Sequence, residues 1–429
     1  LVEKQFKSLI DNHDKGDISY EELFKTLYYN YLLRLAYNTY PNLTTFDGLK
    51  LEQLRKEFKI LDKSLSGLKK KKLFNKLANN SITGGHSSGQ TKKCTELALI
   101  KRITSQKMPR IKLRELIKKS SQALLDMKPC FIMSPTVLSE LVVAQEDFFD
   151  LLIIDEASQM RMEDSICALA RSKQCVIVGD QQQLPPSNQF NANTDDDEDE
   201  ENDLVEESIL DLATSRFRAN RMLKWHYRSR HESLIDFSNH HFYQNQLIIP
   251  PSPITKSAVT TTKVDAYYKG KINIQEKDKL IKDLIPFMSK NIRKGDGDKK
   301  SKSCLIVTMN IFQAESIEDD LNKKKLEYPI IEEYENSWKD TGEEFTVKNL
   351  ESVQGDERDV IFISTLFGPE KPGAKVKQTF GPINNKGGQR RLNVLFTRAR
   401  QNLHLYTSLS SNDVESEGAS EGRQIFKAY

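Results

Sequence analysis

Two adjacent acidic residues follow a short apolar run near the middle of the chain. The run "LLIID" (151–155) ends in Asp155, and Glu156 follows it at the start of "DEASQ". An apolar, β-branched run of this length predicts a buried strand, and open α/β sheets bind their ligands at the carboxyl ends of strands. An aspartate there can hold Mg²⁺, and a neighbouring glutamate can orient and deprotonate an attacking water. Such a pair can also simply cap a following helix.

A second polar loop follows the next predicted strand. The run "CVIVGD" (175–180) ends in Gly179 and Asp180, and the chain continues as "QQQLPP". Because the carboxyl ends of parallel strands meet at one edge of a sheet, this loop favours a binding crevice over simple helix capping. We expect Gly179 and Asp180 to lie against a bound nucleotide and Gln183 to sense its terminal phosphate.

Arginines and an aromatic residue lie in three polar segments of the second half. The segments are "WHYRSRHESLIDFSNHHFY" (225–243), "VKNLESVQGDERDVIFIS" (347–364) and "RRLNVLFTRAR" (390–400). A guanidinium is always charged and is forked toward phosphate oxygens, so Arg228 and Arg398 suit the role of arginine fingers. Tyr227 could stack on a nucleobase. Either arginine considered alone is also consistent with a surface ion pair.

A glycine-rich stretch, "GGHSSGQT" (84–91), nearly matches the phosphate loop G-x-x-x-x-G-K-[ST]. Gly84, Gly89 and Thr91 are in register, but Gln90 stands where the lysine belongs. A working phosphate loop follows a buried strand, whereas the preceding "KKKKLFNKLANNSIT" is polar and helical in pattern. The stretch is therefore interpreted as a flexible connector, with a degenerate nucleotide loop as the alternative.

The periodicity of apolar residues changes along the chain. Up to about residue 80 they recur every three or four positions, which predicts a helical arm. Further on, short apolar runs alternate with helical stretches, which predicts parallel sheets with strands buried on both faces. The predicted strands are "CFIMS" (130–134), "LLIID", "CVIVGD", "SCLIVTM" (303–309), "DVIFISTL" (359–366) and "NLHLYTS" (402–408). Two α/β domains, joined between 215 and 260, follow from this pattern.

Composition excludes some classes of protein. The 429 residues are 38% hydrophobic and 29% charged with a net charge of +3, and none of the apolar runs approaches the roughly 18 residues of a membrane span. The five cysteines are scattered without a C-x-x-C pair, so neither a disulfide framework nor a zinc site is indicated. An acidic stretch, "NTDDDEDEEND" (193–203), predicts a surface insertion. A cytoplasmic protein is expected.

In their order, the quoted segments resemble the motor core of superfamily 1 helicases, in the branch that includes the nonsense-mediated-decay and Sen-type helicases. "DEAS" resembles motif II, "GDQQQLPP" motif III, residues 225–243 the start of the second motor domain, "SCLIVTMNIFQAESIEDDL" motif IV, "ESVQGDERDVIFIS" motif V and "RLNVLFTRAR" motif VI. Phrases such as "KPCFIMSP" and "FGPINNKGGQRRLNV" look closest to large bacterial helicases with uncharacterised flanking domains.

The resemblance implies an α/β fold with two RecA-like parallel-sheet domains, the first incomplete, and an N-terminal helical arm. The expected boundaries are a helical arm at 1–83, a connector and helix at 84–127, a partial first domain at 128–220 and a second domain at 221–429. Since the chain begins at Leu1 and its glycine-rich stretch lacks the lysine, we expect that the true phosphate loop lies upstream. The chain alone should then bind ATP weakly and hydrolyse it negligibly.

The resemblance also implies cofactors and roles for site residues. ATP and Mg²⁺ would bind, with Asp155 on the metal and Glu156 as the catalytic base. The γ-phosphate would be contacted by Gln183, Arg228 and Arg398, the base by Tyr227, and the ribose by Glu357 after a turn at Gly355. Single-stranded DNA or RNA would contact Ser134, Pro135 and Thr136 in the first domain and Thr308, Asn349 and Ser352 in the second.

Two other interpretations stay open at this point. A pseudo-helicase would bind nucleic acid or a protein partner without catalysis, although the presence of Asp155, Glu156, Arg228 and Arg398 argues against it. A nuclease-helicase would carry its cutting domain outside this sequence. The sequence does not distinguish DNA from RNA, and 5′-to-3′ movement is implied only by the branch.

Overall fold

The structure, a computed structural model, describes residues 19–45, 47–87, 89–145, 147–186, 208–295, 297–298 and 300–429. The predicted acidic insertion at 193–203 lies outside these residues. The chain divides into two compact units, Leu1–Ile132 and Met133–Tyr429. Within the described residues, none of the helices is both long and apolar enough to cross a membrane.

The described part of the first unit is helical, which confirms the predicted arm. Ser19 and Glu22 form a capping box at the start of the first helix, and Asp47 accepts hydrogen bonds from the first turn of the second. After these long helices in the sequence, Cys94, Leu99 and Ile103 form a small buried cluster. The helices are α1 (Tyr20–Thr39), α2 (Gly48–Ala78), α3 (Glu96–Thr104), α4 (Leu113–Lys119) and α5 (Ser121–Met127).

The second unit begins with a small parallel sheet of two strands. Strands β1 and β2 pair in register from Leu152 opposite Cys175 to Ile154 opposite Ile177, as predicted for a parallel arrangement. Ile154 packs with Ala157, Ile209 and other residues in a small core. The elements are α6 (Pro135–Leu141), β1 (Leu152–Ile154), α7 (Met162–Leu169), β2 (Cys175–Ile177) and α8 (Ile209–Arg216).

Two expectations about this first sheet are wrong. The run "CFIMS" forms no strand, and Ile132 within it is 99% exposed, because an isolated apolar run gains no ladder of hydrogen bonds without a neighbouring strand. The strands are also not buried on both faces, since Ile153 is 63% exposed and Val176 is 47% exposed. Apolar composition alone could not reveal this, because burial depends on what packs against each face.

A larger sheet follows, with the strand order β3-β7-β6-β4-β5 and only parallel pairing. It confirms the three strands predicted in the second half and adds two, β3 and β5, that the sequence pattern did not reveal. The elements are α9 (Asp236–His241), β3 (Val259–Lys263), α10 (Ile274–Lys290), β4 (Cys304–Thr308), α11 (Ile311–Lys324), α12 (Ile330–Trp338), β5 (Thr346–Asn349), β6 (Arg358–Ser364), α13 (Gly388–Phe396), β7 (Ala399–Thr407) and α14 (Glu421–Ala428).

The central strands of this sheet are buried on both faces. All residues of β4 and β6 are buried, and alternate side chains point into two different hydrophobic clusters. Leu305 and Val307 belong to one cluster, whereas Cys304 and Ile306 belong to the other. This is the two-residue period of a strand covered by packed elements on each side. The buried strands give rigid support to the polar residues that follow their carboxyl ends.

Candidate nucleotide site

The predicted Asp155–Glu156 pair lies in a tight turn directly after β1. Glu156 adopts a left-handed backbone conformation with φ of 53°, which is uncommon for a residue with a side chain. Its N–H donates to Asp155 Oδ1 over 3.0 Å, and Gln159 Nε2 donates to Glu156 Oε2 over 3.3 Å. Both acids are exposed. The turn therefore holds two carboxylates at the carboxyl edge of the first sheet, as the sequence predicts.

Gly179 lets the two polar loops approach each other closely. The Ala157 N–H donates to Val178 O over 2.9 Å, so the turn after β1 is bonded to the end of β2. A Cβ on Gly179 would lie 3.0 Å from Ser158 N and 3.1 Å from Ala157 N. Contacts this short require the neighbouring backbone to give by a few tenths of an ångström, and this position therefore favours glycine for packing.

Asp180 joins the loop after β2 to Tyr243, which follows α9 and is in turn bonded to α13. Its Oδ1 accepts from Gln182 N over 2.9 Å, and its Oδ2 accepts from Gln183 Nε2 over 3.0 Å and from the Tyr243 hydroxyl over 2.7 Å. On α13, Asn393 Nδ2 donates to Tyr243 Oη over 3.0 Å and to Gln182 O over 2.8 Å. Burial and the Asp180 charge raise the pKa of Tyr243, so the phenol stays protonated and donates. Gln183 is thereby fixed relative to α13.

Tyr243 and Asn393 were missed by the sequence reasoning. Each lies in a quoted segment, but neither carries chemistry by its residue type alone. Asn393 is completely buried within the apolar run "RLNVLF", and a polar residue inside such a run was the available signal.

Arg398 lies immediately after α13 and is 3% exposed. Its Nε donates to Val394 O over 2.8 Å, and its Nη2 donates to Thr397 Oγ1 over 3.3 Å. These bonds to the end of the preceding helix hold the guanidinium in one orientation, although it is almost withdrawn from water.

Charged and polar groups from three other quoted segments act electrostatically on the Arg398 guanidinium. Burial, followed by the positive charge of Arg228, lowers the pKa of Arg398 to about 10, although the charges of Glu156, Tyr243 and Glu357 act in the opposite direction. At neutral pH the guanidinium is still charged. The structure thus brings the predicted catalytic base and both predicted arginine fingers into one electrostatic environment.

Arg228 and Glu357 form an ion pair with 2.7 Å between Nε and Oε2. Both side chains are partly exposed, at 32% and 42% respectively. Gly355, which precedes Glu357 in motif V, has φ of 86°, as expected for the predicted turn. Since Glu357 was expected to bind a ribose and Arg228 a phosphate, both roles require ligand groups to compete with this pair.

Tyr227 is 91% exposed beside this ion pair. The adjacent His226 accepts a hydrogen bond from Ser229 N to its Nε2 over 3.1 Å, which closes the turn that carries Tyr227 and Arg228. Burial, followed by the Arg228 charge, lowers the pKa of His226 to about 4. The imidazole is therefore neutral at pH 7 and can accept this bond.

Acidification should destabilise the protein through His226. Between pH 6.5 and 4 the unfolded chain takes up a proton at this histidine and the folded chain does not. The contribution of the neutral imidazole to the free energy of unfolding is therefore complete above pH 6.5 and is lost toward pH 4. Urea unfolding at pH 7 and pH 5 should show a larger loss of unfolding free energy for the wild type than for His226→Gln. Equal losses in both proteins would contradict the assignment.

The residues expected to contact nucleic acid lie at two places in the second unit. Ser134 caps α6, with its Oγ accepting from Val137 N over 3.4 Å, and Pro135 and Thr136 begin that helix. Ser134 and Thr136 are exposed.

In the second sheet, Thr308 and Asn349 are paired neighbours at the carboxyl ends of β4 and β5. Thr308 is fully buried, and its hydroxyl donates to Asn310 O over 2.6 Å. Ser352 Oγ donates to Asn349 Oδ1 over 2.6 Å, and Ser352 is exposed. A single strand of nucleic acid could therefore reach Ser352 directly, whereas the Thr308 side chain is accessible only after a local rearrangement.

The glycine-rich stretch at 84–91 follows a helix, as predicted, and all but Ser88 belong to the described residues. Its carbonyl groups face the first turn of α3, whereas a phosphate loop presents N–H groups to its ligand. Arg102 donates to Thr91 Oγ1 over 2.9 Å and to Gly89 O over 2.8 Å. The N–H groups of Thr95, Leu97 and Ala98 donate to the carbonyls of His86, Thr83 and Gly84. This geometry favours the connector interpretation.

Comparison with known proteins identifies two matched domains and several relatives. Two family models, each described as "AAA domain", match residues 42–188 and 254–409. "Uncharacterized ATP-dependent helicase MG140" of Mycoplasma genitalium is 32% identical over 73% of this chain and 28% of that protein. "DNA-binding protein SMUBP-2" of Rattus norvegicus is 20% identical over 61% of this chain and 25% of that protein. The chain thus spans about a quarter of the length of these relatives.

Similarity to solved structures is weaker. An arterivirus helicase, "nonstructural protein 10 (helicase) with DNA", matches 62% of this chain and 41% of that chain at 13% identity and a TM-score of 0.30. A score this low supports no argument about shape or ligand. The two matched AAA domains and the helicase relatives agree with the order of the motifs, and the chain is related to superfamily 1 helicases of the nonsense-mediated-decay type and to the Mycoplasma helicase.

Proposed function

We propose that this chain forms the motor core of an ATP-dependent helicase or translocase that moves on single-stranded DNA or RNA. The observation that carries the proposal is the convergence on Arg398 of Glu156, Arg228 and Glu357, which come from widely separated segments. A general base and two guanidiniums in one environment are groups that promote phosphoryl transfer to water, and the second carboxylate suits a ribose hydroxyl.

Asp155 and Glu156 have different roles in this proposal. The Asp155 carboxylate is exposed at the carboxyl edge of the first sheet, and its hard oxygen donors fit Mg²⁺. When bound, the metal would neutralise charge on the β- and γ-phosphates of ATP. Glu156 accepts the proton of the attacking water, and it lies in the left-handed turn directly after β1, beside Asp155.

The remaining groups bind the nucleotide and sense its terminal phosphate. Arg398 and Arg228 stabilise the charge that develops on the transferred phosphoryl group. Gln183 contacts the γ-phosphate, and its bond to Asp180 links that contact, through Tyr243, to the second sheet. Loss of the γ-phosphate would therefore change the bonding of a loop that connects the two sheets, which is how hydrolysis could drive movement.

The base and ribose of ATP would lie beside the Arg228–Glu357 pair. Tyr227 is free to stack because its ring is 91% exposed. Glu357 would accept a ribose hydroxyl once the γ-phosphate attracts Arg228 away from it. Gly179 and Asp180 would border the phosphates from the opposite loop.

The nucleic-acid strand would cross Ser134–Thr136 and the carboxyl ends of β4 and β5. Contacts there are to phosphate and sugar, so binding should depend strongly on salt and only weakly on base sequence. Neither the matched relatives nor these residues distinguish DNA from RNA.

The phosphate loop that completes the site is, in this proposal, contributed by a segment N-terminal to Leu1. The motif G-x-x-x-x-G-K-[ST] does not occur in the 429 residues, and the near match at 84–91 is occupied by contacts to α3. Without a lysine on the β- and γ-phosphates, this chain alone should hydrolyse ATP negligibly.

The experiment compares this chain with a longer form extended at the N-terminus to include the phosphate loop. Steady-state ATP hydrolysis is measured with and without a single strand. The longer form should turn over ATP and be stimulated by the strand, while the short chain should not. Robust Glu156-dependent hydrolysis by the short chain would contradict the phosphate-loop proposal. If a single strand does not raise the ATP hydrolysis rate of the longer form, the proposed motor function is wrong.

A further inference from the structure

Helix α2 in the arm is exposed at every position except Leu77, near its end. It has 31 residues, and none of those described is buried. Gly67 lies inside it and costs about 1 kcal/mol relative to alanine. Since helices in proteins derive most of their stability from packing one apolar face, a long exposed helix with an internal glycine indicates a missing partner.

Six apolar residues of α2 form a continuous seam at alternating spacings of three and four residues. This is the a and d pattern of a coiled coil, whose seam supercoils against another helix. The members of the seam and their exposed fractions are Leu51 (43%), Leu54 (52%), Phe58 (69%), Leu61 (68%), Leu65 (50%) and Leu68 (62%). All six are aliphatic or aromatic, so the seam offers only apolar contacts.

We propose that this seam pairs with α2 of a second copy of the chain in an antiparallel coiled coil. Reversing the second helix around a centre between Phe58 and Leu61 places an a position against a d position in every layer. The layers are Leu51 with Leu68, Leu54 with Leu65, and Phe58 with Leu61 of the second copy, each occurring twice. The apolar layers are complete, and the pairing covers every member of the seam.

The charges beside the seam favour the antiparallel orientation. In it, the e positions face each other, and Arg55 of one copy lies opposite Asp62 of the other, twice per dimer. A parallel pair in register would instead bring together the g and e positions of successive heptads. There, Lys50 would face Arg55 and Glu57 would face Asp62, so both pairs would repel.

The run of lysines at 69–72 also separates the two orientations. A parallel pair would place the two runs side by side, whereas the antiparallel pair places them roughly 30 Å apart at opposite ends, since a helix rises 1.5 Å per residue. Lys71 would then face Lys50 of the second copy, but only at the outer ends of the seam, where water and salt screen the charges.

Two adjacent leucine-like residues provide a matched test of the seam. Leu61 lies in the seam and is 68% exposed, while Ile60 lies outside it and is 69% exposed. In sedimentation equilibrium over a concentration series, the wild-type chain should dimerise, and Leu61→Lys should raise the dissociation constant by about 100-fold or more. Ile60→Lys introduces the same charge and should leave the constant nearly unchanged. Circular dichroism checks that both variants keep their helix content.

Charge reversal tests the orientation. In the antiparallel dimer, Arg55→Glu and Asp62→Arg should each weaken association by about three- to tenfold, and the double variant should restore it. In a parallel dimer, each single change would strengthen association. A chain that stays monomeric at all concentrations, equal effects of Leu61→Lys and Ile60→Lys, or stronger dimers in the single charge variants would overturn the proposal.

Discussion

Replacing Arg398 with alanine, in a form of the protein that carries the phosphate loop, should lower kcat for ATP hydrolysis by about 10³–10⁵. The guanidinium is 3% exposed, and it shares its environment with Glu156 and Arg228. A cation held in place before the reaction stabilises developing phosphoryl charge without reorganisation. Arg398→Lys should recover little of the lost rate, because an ammonium lacks the forked donors that two phosphate oxygens require.

The control for Arg398 lies on α13, the helix that precedes it. Arg390 belongs to the same quoted segment and is partly exposed, and Arg390→Ala should retain turnover near that of the wild type. Denaturant unfolding and single-strand binding of Arg398→Ala separate loss of catalysis from loss of fold. If Arg398→Ala stays folded and hydrolyses ATP at the wild-type rate, Arg398 is not the finger.

Replacing Glu156 with glutamine should abolish turnover, with a loss on the order of 10³-fold or more, and spare the binding of ATP and of single strands. The amide keeps the size of the side chain and its bond to Gln159 but cannot accept a proton from water. Because the Glu156 backbone has φ of 53°, glutamine is preferred to alanine, since the isosteric change leaves the local backbone strain unaltered.

A matched acid controls for charge in this experiment. Glu163 lies in the first turn of α7 and is exposed, so Glu163→Gln removes one negative charge nearby without touching the turn after β1. Its turnover should equal that of the wild type. Equal rates for Glu156→Gln and Glu163→Gln would show that water is activated by another group.

The sequence was informative wherever a property is local. Strands β1, β2, β4, β6 and β7 were predicted because their apolar runs are short and β-branched. Strand β3 was missed because its sequence, "VTTTK", has almost no apolar run, and it becomes a strand by pairing with β7. The predicted strand at 130–134 failed for the converse reason, since its composition is apolar but the segment does not adopt strand structure.

The candidate site shows the same division. Asp155, Glu156, Arg228 and Arg398 could be selected by residue type and by their place after a strand or in a motif. Their convergence could not, because it depends on packing between segments about 70 to 240 positions apart. The hydrogen bonds that link Asp180 through Tyr243 to Asn393 likewise form only because these distant segments pack together.

The ion pair between Arg228 and Glu357 also required the structure. The sequence predicts a phosphate as the ligand of Arg228 and a ribose as the ligand of Glu357, whereas in the structure the two side chains bind each other at 2.7 Å. Such a partly exposed pair contributes little to stability, so a nucleotide can displace it at small cost. In the proposed function, the pair would keep the two side chains near each other until phosphate and ribose groups replaced the contact.

The most direct test of the motor is the movement of the phosphate-loop-bearing form along single strands of increasing length. In a stopped-flow experiment, a fluorophore at one end of the strand reports arrival of the protein. The account predicts a lag that lengthens in proportion to strand length with ATP and disappears with a non-hydrolysable analogue or with Glu156→Gln. A signal independent of strand length, or one unchanged in Glu156→Gln, would contradict it.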